Sequence, residues 1–88
     1  MPPNLQDVVN AAYRIRQSSE ELQERTAITA DALGSHGDAL AELNRGQSRT
    51  AEEAVRQINI ARRMTQECAV SLNALKHNVD QFLQHVAE

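Results

Sequence analysis

The sequence has few of the residues that interrupt helices and few of those that fill a large core. Among its 88 residues are two prolines, three glycines and two aromatic side chains. Both prolines precede residue 4, and residues 49–86 contain neither proline nor glycine. A chain this short buries only a modest fraction of its surface, even with bulky side chains. We therefore expect long helices that bury narrow stripes, not a globular core.

Other absences narrow the class of protein. A single cysteine excludes an intrachain disulfide framework. The formal charge of −3 and the scarcity of aromatic residues argue against a nucleic-acid partner. No run of about 18 apolar residues exists, so we expect no membrane insertion. Residues 1–7 lack the charged and apolar regions of a secretory signal, and we expect a cytoplasmic protein.

Each half of the chain carries a heptad pattern. Apolar or small residues alternate at spacings of three and four from Leu5 to Leu43 and again from Ala51 to Val86, which is typical of a coiled-coil seam. The two registers disagree between residues 44 and 50, so the pattern predicts two helices. The bulky residues that we expect in the core or dimer seam are Ile15, Leu22, Leu33, Leu40, Leu43, Ile58, Leu72, Leu75, Val79 and Phe82.

The segment "NRGQSRT" (44–50) has the local chemistry of a turn. Asn44 and Gly46 can end a helix in the left-handed region, and Thr50 and Glu53 have the spacing of a capping box. The rival turn is "GSHG" (34–37), which we expect to be a soft or bent part of the first helix. The sequence thus predicts one domain over 1–88, with helices at about 4–43 and 50–87 and a turn at about 44–49.

These features predict an all-α fold, an antiparallel helical hairpin with coiled-coil packing. Arms of about 40 residues would each be roughly 60 Å long. Folding the chain at residue 47 brings large seam residues opposite small ones, as interdigitating layers require. Two helices cannot enclose seams this wide, so we expect a homodimer of hairpins that forms a four-helix bundle.

No motif indicates catalysis or a cofactor. No pair among His36, His77 and His85 has the spacing that would place two imidazoles on one helix face, so a metal site is not expected. Cys68 occupies a seam position as a small apolar residue. Since two amphipathic helices also form no enclosed pocket, we expect a protein that is not an enzyme and that binds no cofactor.

Two long segments are "IRQSSEELQERTAITADALGSHGDALAEL" (15–43) and "VRQINIARRMTQECAVSLNALKHNVDQF" (55–82). The first resembles the first adaptation helix of the cytoplasmic signalling domain of methyl-accepting chemotaxis proteins, and the second resembles the returning helix of that domain. The resemblance implies a helical-hairpin module for chemotaxis or signal transduction, which pairs with itself or with another helical signalling protein. The matching positions of the first segment are Ile15, Leu22, Arg25, Thr26, Ala30, Leu33, Leu40, Glu42 and Leu43.

The chain also departs from that family. Ile28-Thr29 and Gly34-Ser35 stand where adjacent Glu/Gln pairs would be methylated, and this leaves Glu42 and Glu53 as possible modification sites. The long kinase-contacting tip between the two helices is missing. The resemblance therefore implies a truncated or repurposed signalling or scaffold bundle.

Two other functions remain open. A small secreted helical hairpin of the type VII secretion kind has a similar length and also pairs into four-helix bundles. However, the turn lacks Trp-x-Gly, and "FLQHVAE" (82–88) lacks the Tyr-x-x-x-Asp/Glu export signal. A helical chaperone or regulator of a larger assembly is the third possibility.

Overall fold

Two long helices account for nearly all of the residues that the computed structural model describes, which are 4–87. Helix α1 spans Leu5–Asn44 and helix α2 spans Arg49–Ala87. Asn4 begins α1 with a reciprocal capping box: its side chain accepts a hydrogen bond from the Asp7 backbone at 2.9 Å, and its backbone N–H donates to the Asp7 carboxylate at 3.2 Å. The helices pack against each other, which confirms the predicted helical hairpin.

The chain reverses direction at residues 45–48. Arg45 (φ 44°, ψ 43°) and Gly46 (φ 77°) adopt the left-handed conformation that ends a helix. Asn44 closes this turn, since its side-chain oxygen accepts from Ser48 N at 2.8 Å and its amide donates to Ser48 O at 3.2 Å. Both bonds are intramolecular and partly buried, so they tie the end of α1 to the start of α2.

The predicted cap of the second helix at Thr50 is wrong. Ser48 occupies that position, and its hydroxyl accepts a hydrogen bond from Ala51 N at 3.2 Å. The helix begins earlier than expected because Asn44 already holds the Ser48 backbone, which brings the Ser48 hydroxyl over the first free N–H groups. Glu53 instead forms an ion pair with Arg56 at 2.8 Å.

Residues 34–37 lie inside α1, where their two glycines allow close approach of α2. A Cβ placed on Gly37 would lie 3.0 Å from Ile58 Cγ2, and one on Gly34 would lie 3.2 Å from Arg62 Nε. Ordinary contacts of this kind are 3.4 Å or longer. Both glycines are buried, so this segment is a packing site within a continuous helix.

The hairpin is an elongated single layer. Its principal extents are 63 × 26 × 14 Å, and an α-helix with its side chains is about 10–12 Å across. Because the layer is one helix thick, both of its broad faces are open to solvent. The buried residues of α1 are accordingly few and mostly small, and α2 has none.

Candidate interaction surface

The covered stripe between the helices is made of small residues on α1. Ser19 is the most shielded of them, at 2% exposure. Small side chains let the two backbones approach closely, so the bulkier residues of α2 lie over the α1 stripe. The buried residues of α1 are Ala12, Ser19, Ala30, Gly34, Gly37 and Asn44.

The structure divides the predicted seam residues into two groups. Six of them are half-buried within the single hairpin: Leu33, Leu40, Ile58, Leu72, Val79 and Phe82. The other four are exposed: Ile15, Leu22, Leu43 and Leu75. Ile15 and Leu22 lie seven residues apart on α1 and each lines an apolar groove between the helices, so they share one side of the hairpin.

We call this side the apolar face, and two grooves between the helices define it. The groove near the free ends is lined by Val8, Ala11, Ala12, Ile15, Asn78, Val79 and Phe82. The groove near the middle is lined by Leu22, Arg25, Thr26, Thr29, Met64, Thr65 and Cys68. Arg25 is the single charged residue in these linings, so the surface between the helices is almost uncharged over both grooves.

The opposite side, which we call the ionic face, carries charged pairs that cross between the helices. Arg16 Nε lies 2.9 Å from Asp80 Oδ1, and Lys76 Nζ lies 3.2 Å from Glu20 Oε1. The Arg16 Nε hydrogen is not aligned for a hydrogen bond, although the atom itself is shielded from solvent, so this contact is an ion pair. These four side chains are between 32% and 47% exposed, and pairs of that exposure contribute little to stability.

Three hydroxyl side chains of the seam donate hydrogen bonds to carbonyl groups of their own helix. Ser19 donates to Ile15 O at 2.7 Å, Thr26 donates to Gln23 O at 2.8 Å, and Thr65 donates to Ala61 O at 2.8 Å. A hydroxyl bonded back to its own helix has no need of a partner across the interface. These residues therefore act as small packing groups, which suits an interface better than a polar ligand site.

The histidine, cysteine and acidic residues considered as candidate sites do not come together in one place. Among residues 4–87, no group of three or more His, Cys, Asp or Glu side chains could hold a metal ion. His36, His77, His85 and the free Cys68 are exposed at separate places. Glu42 pairs with Arg45, and Glu53 pairs with Arg56, so the two possible modification sites lie on the surface near the turn.

Within the same residues, no helix is long and apolar enough to cross a membrane. No protein-family model, curated protein or solved structure matches the chain. The chemoreceptor resemblance therefore stays a prediction.

Several features of these faces were not predicted from the sequence. Arg16 and Lys76 occupy positions facing the other helix, where the heptad pattern predicted their neighbours Ile15 and Leu75. Met64 lines the middle groove without belonging to the predicted seam. The charge pattern could have identified Arg16 and Lys76, since each lies one helical turn from an acidic residue of its own helix.

Proposed function

We propose that the protein is a non-enzymatic helical interaction module and that a second copy of the chain covers its apolar face to form a four-helix bundle. One observation carries the proposal: bulky aliphatic side chains are exposed in a row along one side of the hairpin. Ile15, Leu22 and Leu75 are each between 43% and 46% exposed. A continuous apolar surface of this kind marks an interaction site in soluble proteins.

The exposed area has the size that such an interface needs. A compact monomer of 9.8 kDa exposes about 5,200 Å² by the relation of area to mass, whereas the hairpin exposes 6819 Å². The excess is about 1,600 Å² per chain, or about 3,200 Å² for a pair, within the range of obligate homodimers. A partner that covers one whole face therefore brings the chain to the exposure of an ordinary folded protein.

The shape and charge of the face favour a second copy over a single helix. The grooves lie between two helices, so a single helix would cover the central groove and leave aliphatic residues at both edges. A second hairpin supplies two helices with the same stripe, and a two-fold interface requires that kind of self-complementary surface. Copies that each carry a charge of −3 can meet here, because Arg25 is the single charged residue in the linings of the two grooves.

As to role, we propose a chemoreceptor-like signalling or scaffold bundle in the cytoplasm. Its support is the sequence resemblance of residues 15–43 and 55–82, together with the helical-hairpin fold. The identity of neighbouring genes tests this role directly. Chemotaxis or signalling genes beside its own support it, whereas a type VII secretion locus contradicts it.

The dimer is tested with matched substitutions of exposed aliphatic residues. Ile15→Glu and Leu22→Glu each place a carboxylate in one of the two grooves of the apolar face, whereas Ile28→Glu and Val70→Glu place one on even more exposed positions outside both grooves. A buried, unpaired carboxylate costs several kcal/mol. We expect the dissociation constant to rise at least about 100-fold for the first pair and to stay within about threefold for the controls.

Sedimentation equilibrium over a dilution series from micromolar concentrations measures these constants, and circular dichroism checks that all variants stay helical. A wild-type chain that remains monomeric throughout the series contradicts the proposal. So does an equal loss of association in the two pairs of variants.

A further inference from the structure

The apolar face is not uniform along its length. From the free ends to the middle of the hairpin it presents Val8, Ile15, Leu22 and Phe82. Toward the turn, the positions that continue the same heptads carry small or polar residues, with one bulky exception at Leu43, which is 79% exposed. These small or polar residues are Thr29, His36, Ala54 and Ala61.

This gradient limits how two copies can pack. Interiors are close-packed, so each layer of a bundle with evenly spaced helices needs about the same side-chain volume. In a parallel pair, with both turns at one end, bulky residues would meet bulky ones near the free ends. Small residues would meet small ones toward the turns, so the hairpins would splay at one end or leave cavities at the other.

An antiparallel pair removes the mismatch. We propose that the two copies pair with the turn of each hairpin over the free ends of the other, an arrangement that rests on the proposed homodimer. The bulky half of each apolar face then lies against the smaller half of its partner. Leu43, which has no apolar neighbour at its own level in the grooves, reaches the level of Val8 in the second copy.

The symmetry axis of this pair crosses the middle of the hairpin. The midpoint of α2 (Arg49–Ala87) is Cys68, and the midpoint of α1 (Leu5–Asn44) falls next to Glu24. The small residues Thr26, Thr65 and Cys68 line the middle groove at this level. In the antiparallel pair, small residues of one copy lie against the same small residues of the other copy only at this centre. A parallel pair brings the same residues together at that level, so the two arrangements differ only away from the centre.

Distances between spin labels on the two copies distinguish the arrangements. In a Cys68→Ser background, Asn10→Cys places a label near the free ends and Glu24→Cys places one near the centre, both on exposed positions. In the antiparallel pair the two residue-10 labels lie about 45 Å apart along the bundle, from a rise of about 1.5 Å per residue. In a parallel pair the width of the bundle alone separates them, which is about 30 Å or less.

The central label separates failure of this inference from failure of the proposed function. A long distance at residue 10 with a short distance at residue 24 supports the antiparallel pair. Short distances at both positions show a parallel dimer, which overturns the antiparallel arrangement and leaves the interaction module intact. No defined distance at either position, together with a monomeric mass in sedimentation, overturns both. Sedimentation of each labelled variant at the same concentration shows whether the labels themselves disturb assembly.

Discussion

Replacing the two buried glycines of α1 with alanine, one at a time, should change stability in opposite directions. Inside a helix, alanine is favoured over glycine by about 1 kcal/mol. At Gly34 the added methyl group meets the Arg62 side chain, which is exposed and can move aside. At Gly37 it would lie 3.0 Å from Ile58 Cγ2, a branch fixed close to the α2 backbone. Relieving that contact requires a backbone shift or a strained rotamer, which costs about 1–3 kcal/mol.

We therefore expect Gly34→Ala to stabilise the fold by up to about 1 kcal/mol and Gly37→Ala to destabilise it by up to about 2 kcal/mol after the helix gain is deducted. Urea unfolding followed by circular dichroism measures both, at one fixed protein concentration because association adds to stability. A double-mutant cycle that combines Gly37→Ala with Ile58→Ala isolates the energy of the contact between these two residues. The cost of Gly37→Ala should shrink or change sign in that background, because the opposing methyl group is gone.

Two results would refute this reasoning. If Gly37→Ala stabilises the protein as much as Gly34→Ala, the helices are not in close contact at Ile58. If Ile58→Ala leaves the cost of Gly37→Ala unchanged, the cost arises elsewhere, and the assignment of these glycines to helix packing is wrong.

Three further changes probe the turn, the ionic face and the seam, each by urea unfolding. Asn44→Ala should cost about 1–2 kcal/mol, because it leaves partly buried backbone groups of the turn without their partners; a loss below about 0.3 kcal/mol would show that the turn does not depend on this side chain. Arg16 and Asp80 should couple by about 0.5 kcal/mol in a double-mutant cycle, and the coupling should fall in 1 M salt, where screening acts within about 3 Å. Leu72→Ala should cost about 2 kcal/mol and His77→Ala less than about 0.5 kcal/mol, and equal costs would contradict the seam.

The sequence predicts the helices and their pairing well because both depend on local periodicity. A run without glycine or proline, a break in heptad phase and turn residues at the same place all indicate a hairpin. The sequence predicts less well which edge of each heptad stripe is buried against the other helix. Two helices alone can meet along either edge of a heptad stripe, and in α1 the covered line runs through Arg16 and Gly37 and not through Ile15 and His36.

The glycines at 34 and 37 show a second limit. Helix propensity counts the local cost of glycine and therefore predicts a soft segment at this place. Propensity carries no information on how closely another helix approaches, which is set by residues more than 20 positions away. The contact with Ile58 converts a locally unfavourable residue into a packing requirement, and a single sequence gives no sign of that contact.

The same geometry explains why the exposed aliphatic residues form a surface and are not a scatter of unrelated positions. Single exposed apolar side chains are ordinary on folded proteins, and Tyr13, Ile28 and Val70 are exposed in this way, outside the two apolar grooves. Ile15 and Leu22 differ because they are seven residues apart and border grooves whose linings hold one charge. Rotating each helix so that its seam faced the partner helix squarely would cover this row but would open the contacts at Gly37 and Arg16. The hairpin keeps those contacts, so the row stays exposed on the single hairpin.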